Sequence, residues 1–322
     1  MTAGRALRMD GEMSGTAGTR RRLGVFLLFG GIACVLLLAG IGVPPAPPNA
    51  SWAAHTRQDE ASLEDYGLKA RTATHWELPK RLREISGLAT TSDHRLLAHN
   101  DEVGVVFEID YREGSIVKEF QVADLKDPVA DDFEGIAVAD DLIYLVTSSG
   151  RLYEFEEGND GESVLYRMYA TGIGRDCEIE GLAHDPGGRD LTLMCKDARS
   201  RNLRGRLALF RWSIDEKRLG TDSPIIVPVR DFARPIESNR YHPSGIERHP
   251  KSGNYFVIAA RQGAIAEMTP SGEVLGAKRF TAGWHRQVEG IAFGEDGSLI
   301  VADEGGNGRA RLTVYPRLGG RD

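Results

Sequence analysis

A short phrase recurs five times along this 322-residue chain, and few architectures can carry such a period. The copies are Ser86-Gly87-Leu88-Ala89, Glu134-Gly135-Ile136-Ala137, Glu180-Gly181-Leu182-Ala183, Ser244-Gly245-Ile246-Glu247 and Glu289-Gly290-Ile291-Ala292. Their glycines stand 48, 46, 64 and 45 residues apart. A period of about 45 residues filled with short β-like runs marks propeller blades. A helical repeat of similar length would carry a 3.6-residue apolar period instead. The expected fold is all-β, a closed β-propeller over residues 73–317 with a short tail at 318–322. Five blades are favoured and six are the alternative.

Each interval holds the strands of one blade. In the first, residues 95–99, 105–110 and 116–122 follow the repeat phrase. The fifth offers only 298–302 and 312–315 before the chain ends, so it lacks its outer strand. The β-like stretch Ala73–Leu78 stands ahead of the first copy. Pairing it with Leu312–Tyr315 would complete the fifth blade and close the ring, removing exposed strand edges. A sixth blade could hide only in the 64-residue interval. Its excess is too short for four strands and is read as loops at 199–206 and 232–241.

The N-terminus has a different character. Residues 1–22 carry five Arg against Asp10 and Glu12, and residues 23–43 carry no charge. An apolar run of 21 residues matches the roughly 20 needed to span a bilayer core. Arg20, Arg21 and Arg22 in front of it keep the basic tail in the cytoplasm and send the rest outward. The expectation is a single-pass inner-membrane protein with its C-terminal domain in the periplasm. A cleaved signal peptide and a lipoprotein site at Cys34 are the competing readings. A Pro-rich and polar linker at 44–72 separates the transmembrane helix from the propeller. The net charge of -7 leaves about -10 beyond the basic tail, which argues against nucleic-acid binding and suits a cation partner. Cys177 and Cys195 flank a hairpin turning at residues 185–188. A disulfide and two buried free thiols both fit.

The first residue of each copy sits where an inner strand begins beside the central channel. The second strands return to that face and end at 100–102, 148–149, 196–197, 261–262 and 303–304. Glu134, Glu180 and Glu289, with Asp101 and Asp303 nearby, would then form a crown of carboxylates. Such a ring suits a hard cation, Ca²⁺ above all, which accepts six to eight oxygens in flexible geometry. The competing reading is a salt-bridged polar crown around channel water. Lys196, Arg261 and His285 interrupt the crown and would hold a small anionic ligand. No His-Glu-x-x-His pair, no Gly-x-Ser-x-Gly elbow and no EF-hand loop occurs in the chain, so no catalytic residue is assigned by motif.

The phrases Ile85-Ser86-Gly87-Leu88, Asp132-Phe133-Glu134-Gly135-Ile136-Ala137 and Val288-Glu289-Gly290-Ile291-Ala292 resemble the SdiA-regulated family, the YjiK/CarP group of membrane-anchored bacterial β-propellers. The resemblance covers about residues 73–317 and extends to the anchor. It implies an envelope protein with a five- or six-bladed propeller, linked to calcium homeostasis and distantly related to phytase-like and esterase-like propellers. Asn100-Asp101-Glu102 and Lys196-Asp197 look like the family's strand-end phrases, whereas Ser148-Ser149 and Ser244 depart from it. Two functions follow. One is a binding or sensing module for Ca²⁺ and an envelope protein partner. The other is a Ca²⁺-dependent hydrolase of phosphoesters or esters.

Overall fold

The computed structural model describes residues 62–124, 127–185 and 187–318. The expected anchor at 23–43, the basic tail before it and most of the linker lie outside these residues. Among the described residues no helix is long and apolar enough to cross a membrane.

Five antiparallel blades follow one another along the chain. Their innermost strands are Ile85–Thr90, Phe133–Ala139, Cys177–His184, Gly245–Arg248 and Val288–Phe293, so every repeat phrase opens or lies in an inner strand. These strands contact one another in ring order, and the fifth returns to the first. The 64-residue interval holds no sixth blade. Its excess forms a turn at Arg201–Leu203 and a short helical stretch, Val229–Ala233 with Arg234–Ile236.

Closure occurs as the missing strand requires. Thr74–Glu77 pairs antiparallel with Arg311–Tyr315, placing Thr74 opposite Val314 and Trp76 opposite Leu312. The Leu78 amide then donates to the Ala310 carbonyl at 2.8 Å. The linker expectation needs one correction. Residues 62–72 are packed on the propeller, and Leu63, Tyr66 and Leu68 are buried between the fourth and fifth blades. Arg317 is ion-paired to Asp65 at 3.0 Å, tying this segment to the end of the chain. Three apolar residues in six carry no usable period, which is why the segment resembles polar linker in sequence.

Five apolar clusters fill the five spaces between neighbouring blades. Both faces of each sheet are therefore buried, and the strands are apolar over long stretches. Cys177 and Cys195 form a disulfide joining the inner and second strands of the third blade.

The repeat glycines set how closely the inner strands approach. A Cβ at Gly135 would lie 2.6 Å from the Leu182 nitrogen, and one at Gly245 would lie 2.5 Å from the Glu289 carbonyl oxygen. Both obstacles are backbone atoms of the next blade, which cannot swing aside. Gly135→Ala should therefore lower stability in urea unfolding of the full chain by about 1–3 kcal/mol, the usual cost of overpacking. Gly276 lies on an outer strand with open space around its Cβ position, so Gly276→Ala should stay within about 0.5 kcal/mol. Equal stability of the two variants would contradict the close-approach account.

Candidate functional site at the propeller axis

The strand pairing skips one step at the site residue in several blades. Phe133 faces Thr147 and Gly135 faces Val146, leaving Glu134 as the extra residue. Ser86 occupies the same place between Ile85 and Gly87, and Glu289 between Val288 and Gly290. In the third blade the irregularity falls between Ile179 and Leu182, around Glu180. These are β-bulges, which twist a strand locally and re-aim a side chain. Ser86, Glu134 and Glu289 line an axial slot of about 10 Å³, room for about one water at most. Leu88, Ile136, Leu182, Ile246 and Ile291 close it beyond the glycines.

The carboxylates meet one cation there. Lys196 Nζ donates to Glu180 Oε1 in a close ion pair, and Glu180 is buried. Burial works against the Lys196 charge, but the charge and hydrogen bond of Glu180 outweigh it and hold the ammonium above its usual value. Glu134 is pushed up to about 9, first by burial and then by the charges of Glu180 and Asp132. Glu289 is pushed up to about 7 by burial. The Gln287 amide donates to it at 3.0 Å and opposes the shift, while Glu304 and Glu180 add to it. Near neutral pH the mouth thus holds Glu134 with its carboxyl raised well above the ordinary range, Glu180 ion-paired to Lys196, and Glu289 close to its midpoint.

The other expected residues divide. Asp101 stands beside Glu84 and Glu102, and burial followed by these charges raises its carboxyl above the ordinary value. Glu304 is raised by burial, then by Asp101 and Glu84. Gln287 Nε2 donates to both Glu289 and Glu304, linking the two groups. Asp303 is engaged elsewhere. Its Oδ1 accepts the Arg286 and Gln287 amides at 3.0 and 3.2 Å, and its Oδ2 lies 2.6 Å from His285 Nδ1. His285 is buried, with Nε2 2.7 Å from the Tyr315 hydroxyl. Both ring nitrogens are thus held by the fold, one by Asp303 and one by Tyr315. Arg261 is exposed on the turn Ala260–Gln262 and forms no ion pair among the described residues. Ser244 explains why the fourth copy lacks Glu: its hydroxyl donates to the Val288 carbonyl at 2.7 Å and accepts the Ala260 amide at 2.9 Å.

Sequence reasoning passed over Glu304 in favour of its neighbour Asp303. The signal was available, because adjacent strand residues point to opposite faces. Among the described residues no three His, Cys, Asp or Glu side chains come together as metal ligands. Lys196 is already paired with Glu180, so a cation at the mouth would compete with it for that carboxylate.

No protein-family model and no curated protein matches the chain in sequence. The resemblance to the SdiA-regulated family therefore rests on the repeat and strand-end phrases and the N-terminal run. Solved structures do match in shape. A glutaminyl cyclase from Myxococcus xanthus aligns with a TM-score of 0.51 at 15% identity, covering 76% of this chain and 95% of that one. A PQQ-bound aldose sugar dehydrogenase from Streptomyces coelicolor aligns at 0.47 and 15% identity, covering 76% and 98%. A streptogramin B lyase aligns at 0.46 and 13%, covering 76% and 97%. At 15% identity the likeness to the glutaminyl cyclase is one of fold, and the chain, with its five blades, is a β-propeller.

The raised carboxyls have a stability consequence. The folded state keeps protons on Glu134 and Glu289 that the unfolded chain releases near 4.5, the ordinary value. Their contribution is fully present below that pH and is lost as pH rises through about 7 for Glu289 and about 9 for Glu134. Each group adds a downward slope of up to about 1.4 kcal/mol per pH unit within its window. Glu247, elsewhere in the fold, adds a similar slope up to about 8. The readout is therefore the difference between wild type and Glu134→Gln. Urea unfolding from pH 5 to 9 should show a shallower decline in the variant, and parallel curves would refute the assignment.

Proposed function

We propose that the axial mouth is a general acid–base site acting on a small neutral or amine-bearing substrate, in a propeller held outside the cytoplasm. The observation that carries this reading is the convergence of equivalent carboxyls beside the Glu180–Lys196 ion pair, in surroundings that raise Glu134 and Glu289 to different extents. Environments that push like groups apart in pKa are how acid and base roles are divided. Glu134 holds a proton to give, and Glu289 can take one near neutral pH. The Glu180–Lys196 pair supplies a fixed charge and a donor beside them. In hydrolysis of an ester or lactone, Glu289 would take a proton from the attacking water while Glu134 protonates the departing alkoxide. The surrounding excess of carboxylates disfavours a polyanionic phosphoester. The Cys177–Cys195 disulfide supports an oxidising compartment, in keeping with the basic residues and apolar run of the N-terminus.

The test is a panel of lactones, neutral esters and phosphoesters offered to the full chain. We expect turnover of an ester or lactone with a pH optimum between about 7 and 9, bounded by Glu289 and Glu134. Glu134→Gln should lower it by about 10²–10⁴-fold, the usual range for a positioned acid. Activity on phosphoesters only, or activity untouched in this variant, would overturn the reading.

A second reading keeps Ca²⁺ and a sensing role for an anchored envelope protein with a protein partner. It is favoured by the number of carboxylates at the mouth. A cation would have to displace the protons of Glu134 and Glu289 and draw Glu180 from Lys196, so affinity must rise with pH. Saturating calcium should then raise the melting temperature more at pH 8 than at pH 6. At a hundredfold excess over the dissociation constant the gain is about 2.7 kcal/mol. An unmoved melting curve at both pH values removes calcium from the account.

A further inference from the structure

The opposite end of the axis holds a larger space. A cup of about 500 Å³ lies where the inner strands run out into their hairpins, lined by Thr90, Val138, His184, Glu247 and Phe293 among others. This volume is in the range of small-molecule sites. The apolar ring of Leu88, Ile136, Leu182, Ile246 and Ile291 stands between the cup and the carboxylates at the other mouth.

Glu247 is out of pattern. It takes the fourth place of its repeat, where the other copies have Ala89, Ala137, Ala183 and Ala292. Those four alanines are buried. One blade thus carries a carboxyl where the rest of the ring carries a methyl. Glu247 Oε1 accepts the Arg248 amide at 2.8 Å, and no ion pair reaches the side chain among the described residues. Of the nearby guanidiniums, Arg248 is ion-paired to Asp185 at 2.6 Å and Arg317 to Asp65 at 3.0 Å, while Arg248 Nε is buried without a hydrogen-bond partner among the described residues. Burial pushes Glu247 up to about 8 and pulls the His184 imidazole down. The cup therefore presents a carboxyl raised above its ordinary value and an imidazole lowered below its own, beside Val138, Phe293 and alanines, with Lys251 and Arg317 also in its lining.

We infer that this cup is a second binding site, for a small, mainly apolar, uncharged molecule whose carbonyl oxygen accepts a hydrogen bond from Glu247. Glu247 is half-buried at the cup wall with no ion pair among the described residues, so an acceptor in the cup can pair with its carboxyl, and the surrounding side chains offer apolar contact. The site is independent of the acid–base mouth.

The probe is 4-fluoroacetophenone, followed by fluorine NMR with the full chain. Its counterparts are 4-fluorotoluene, which lacks the carbonyl, and 4-fluorobenzylammonium, which replaces it with a charge. We expect saturable one-to-one binding of the ketone, weakened about tenfold in Glu247→Leu, as loss of one hydrogen bond implies. Glu247→Gln keeps a donor and should stay within about threefold of wild type. Val138→Trp fills the cup and should remove binding, while Glu134→Gln should leave it unchanged. A thermal melt of each variant confirms that it is folded. The inference is overturned if the folded wild type shows no saturable binding, or if Val138→Trp or Glu247→Leu binds the ketone as wild type does. Tighter binding of the ammonium than of the ketone, lost in Glu247→Gln, would overturn the carbonyl assignment.

Discussion

The close approach of five inner strands is the constraint on which the rest of the molecule depends. Glycine at the second place of each repeat removes the atom that would hold neighbouring backbones apart. At Gly135 and Gly245 the obstacle is the backbone of the next blade itself. The axis is consequently narrow, and in the first, second and fifth blades a bulge carries the residue before the glycine toward the same small space. Convergence of the glutamates thus follows from the same geometry that seals the ring.

That convergence has an electrostatic cost, and the fold meets it in three ways. Glu180 is neutralised by Lys196, the third blade's strand-end cation. Glu134 keeps its proton. The first and fourth repeats carry the neutral Ser86 and Ser244, and Ser244 serves as a clasp between the fourth and fifth blades. A fully ionised ring would repel itself in a partly dry setting. Dividing protonation around the ring relieves that repulsion, and under the proposed function it would place a donor and an acceptor of protons at one pH.

Much of this was legible in the sequence because it is periodic. Five equivalent phrases fix the blade count, and the short last interval points to Ala73–Leu78 as the closing strand. Equivalence also brings Glu134, Glu180 and Glu289 together. What the sequence hid is whatever depends on which way one side chain turns. Asp303 and Glu304 are adjacent, yet one clamps His285 and two backbone amides while the other reaches Gln287 at the mouth. His285 stands just before a repeat but is buried against Tyr315. Leu63, Tyr66 and Leu68 lie too close together to show a period, so their burial was invisible. Glu247 was visible as a departure from Ala, but its significance needed the cup beside it.

The central claim is that the mouth holds glutamates of divided protonation around one ion pair. It is tested most directly by carbon NMR of side-chain carboxyls in glutamate-labelled protein, titrated from pH 3 to 10, with resonances assigned by Glu134→Gln and Glu289→Gln. The account predicts midpoints near 9 for Glu134 and near 7 for Glu289. Midpoints for both near 4.5, the ordinary value, would contradict it.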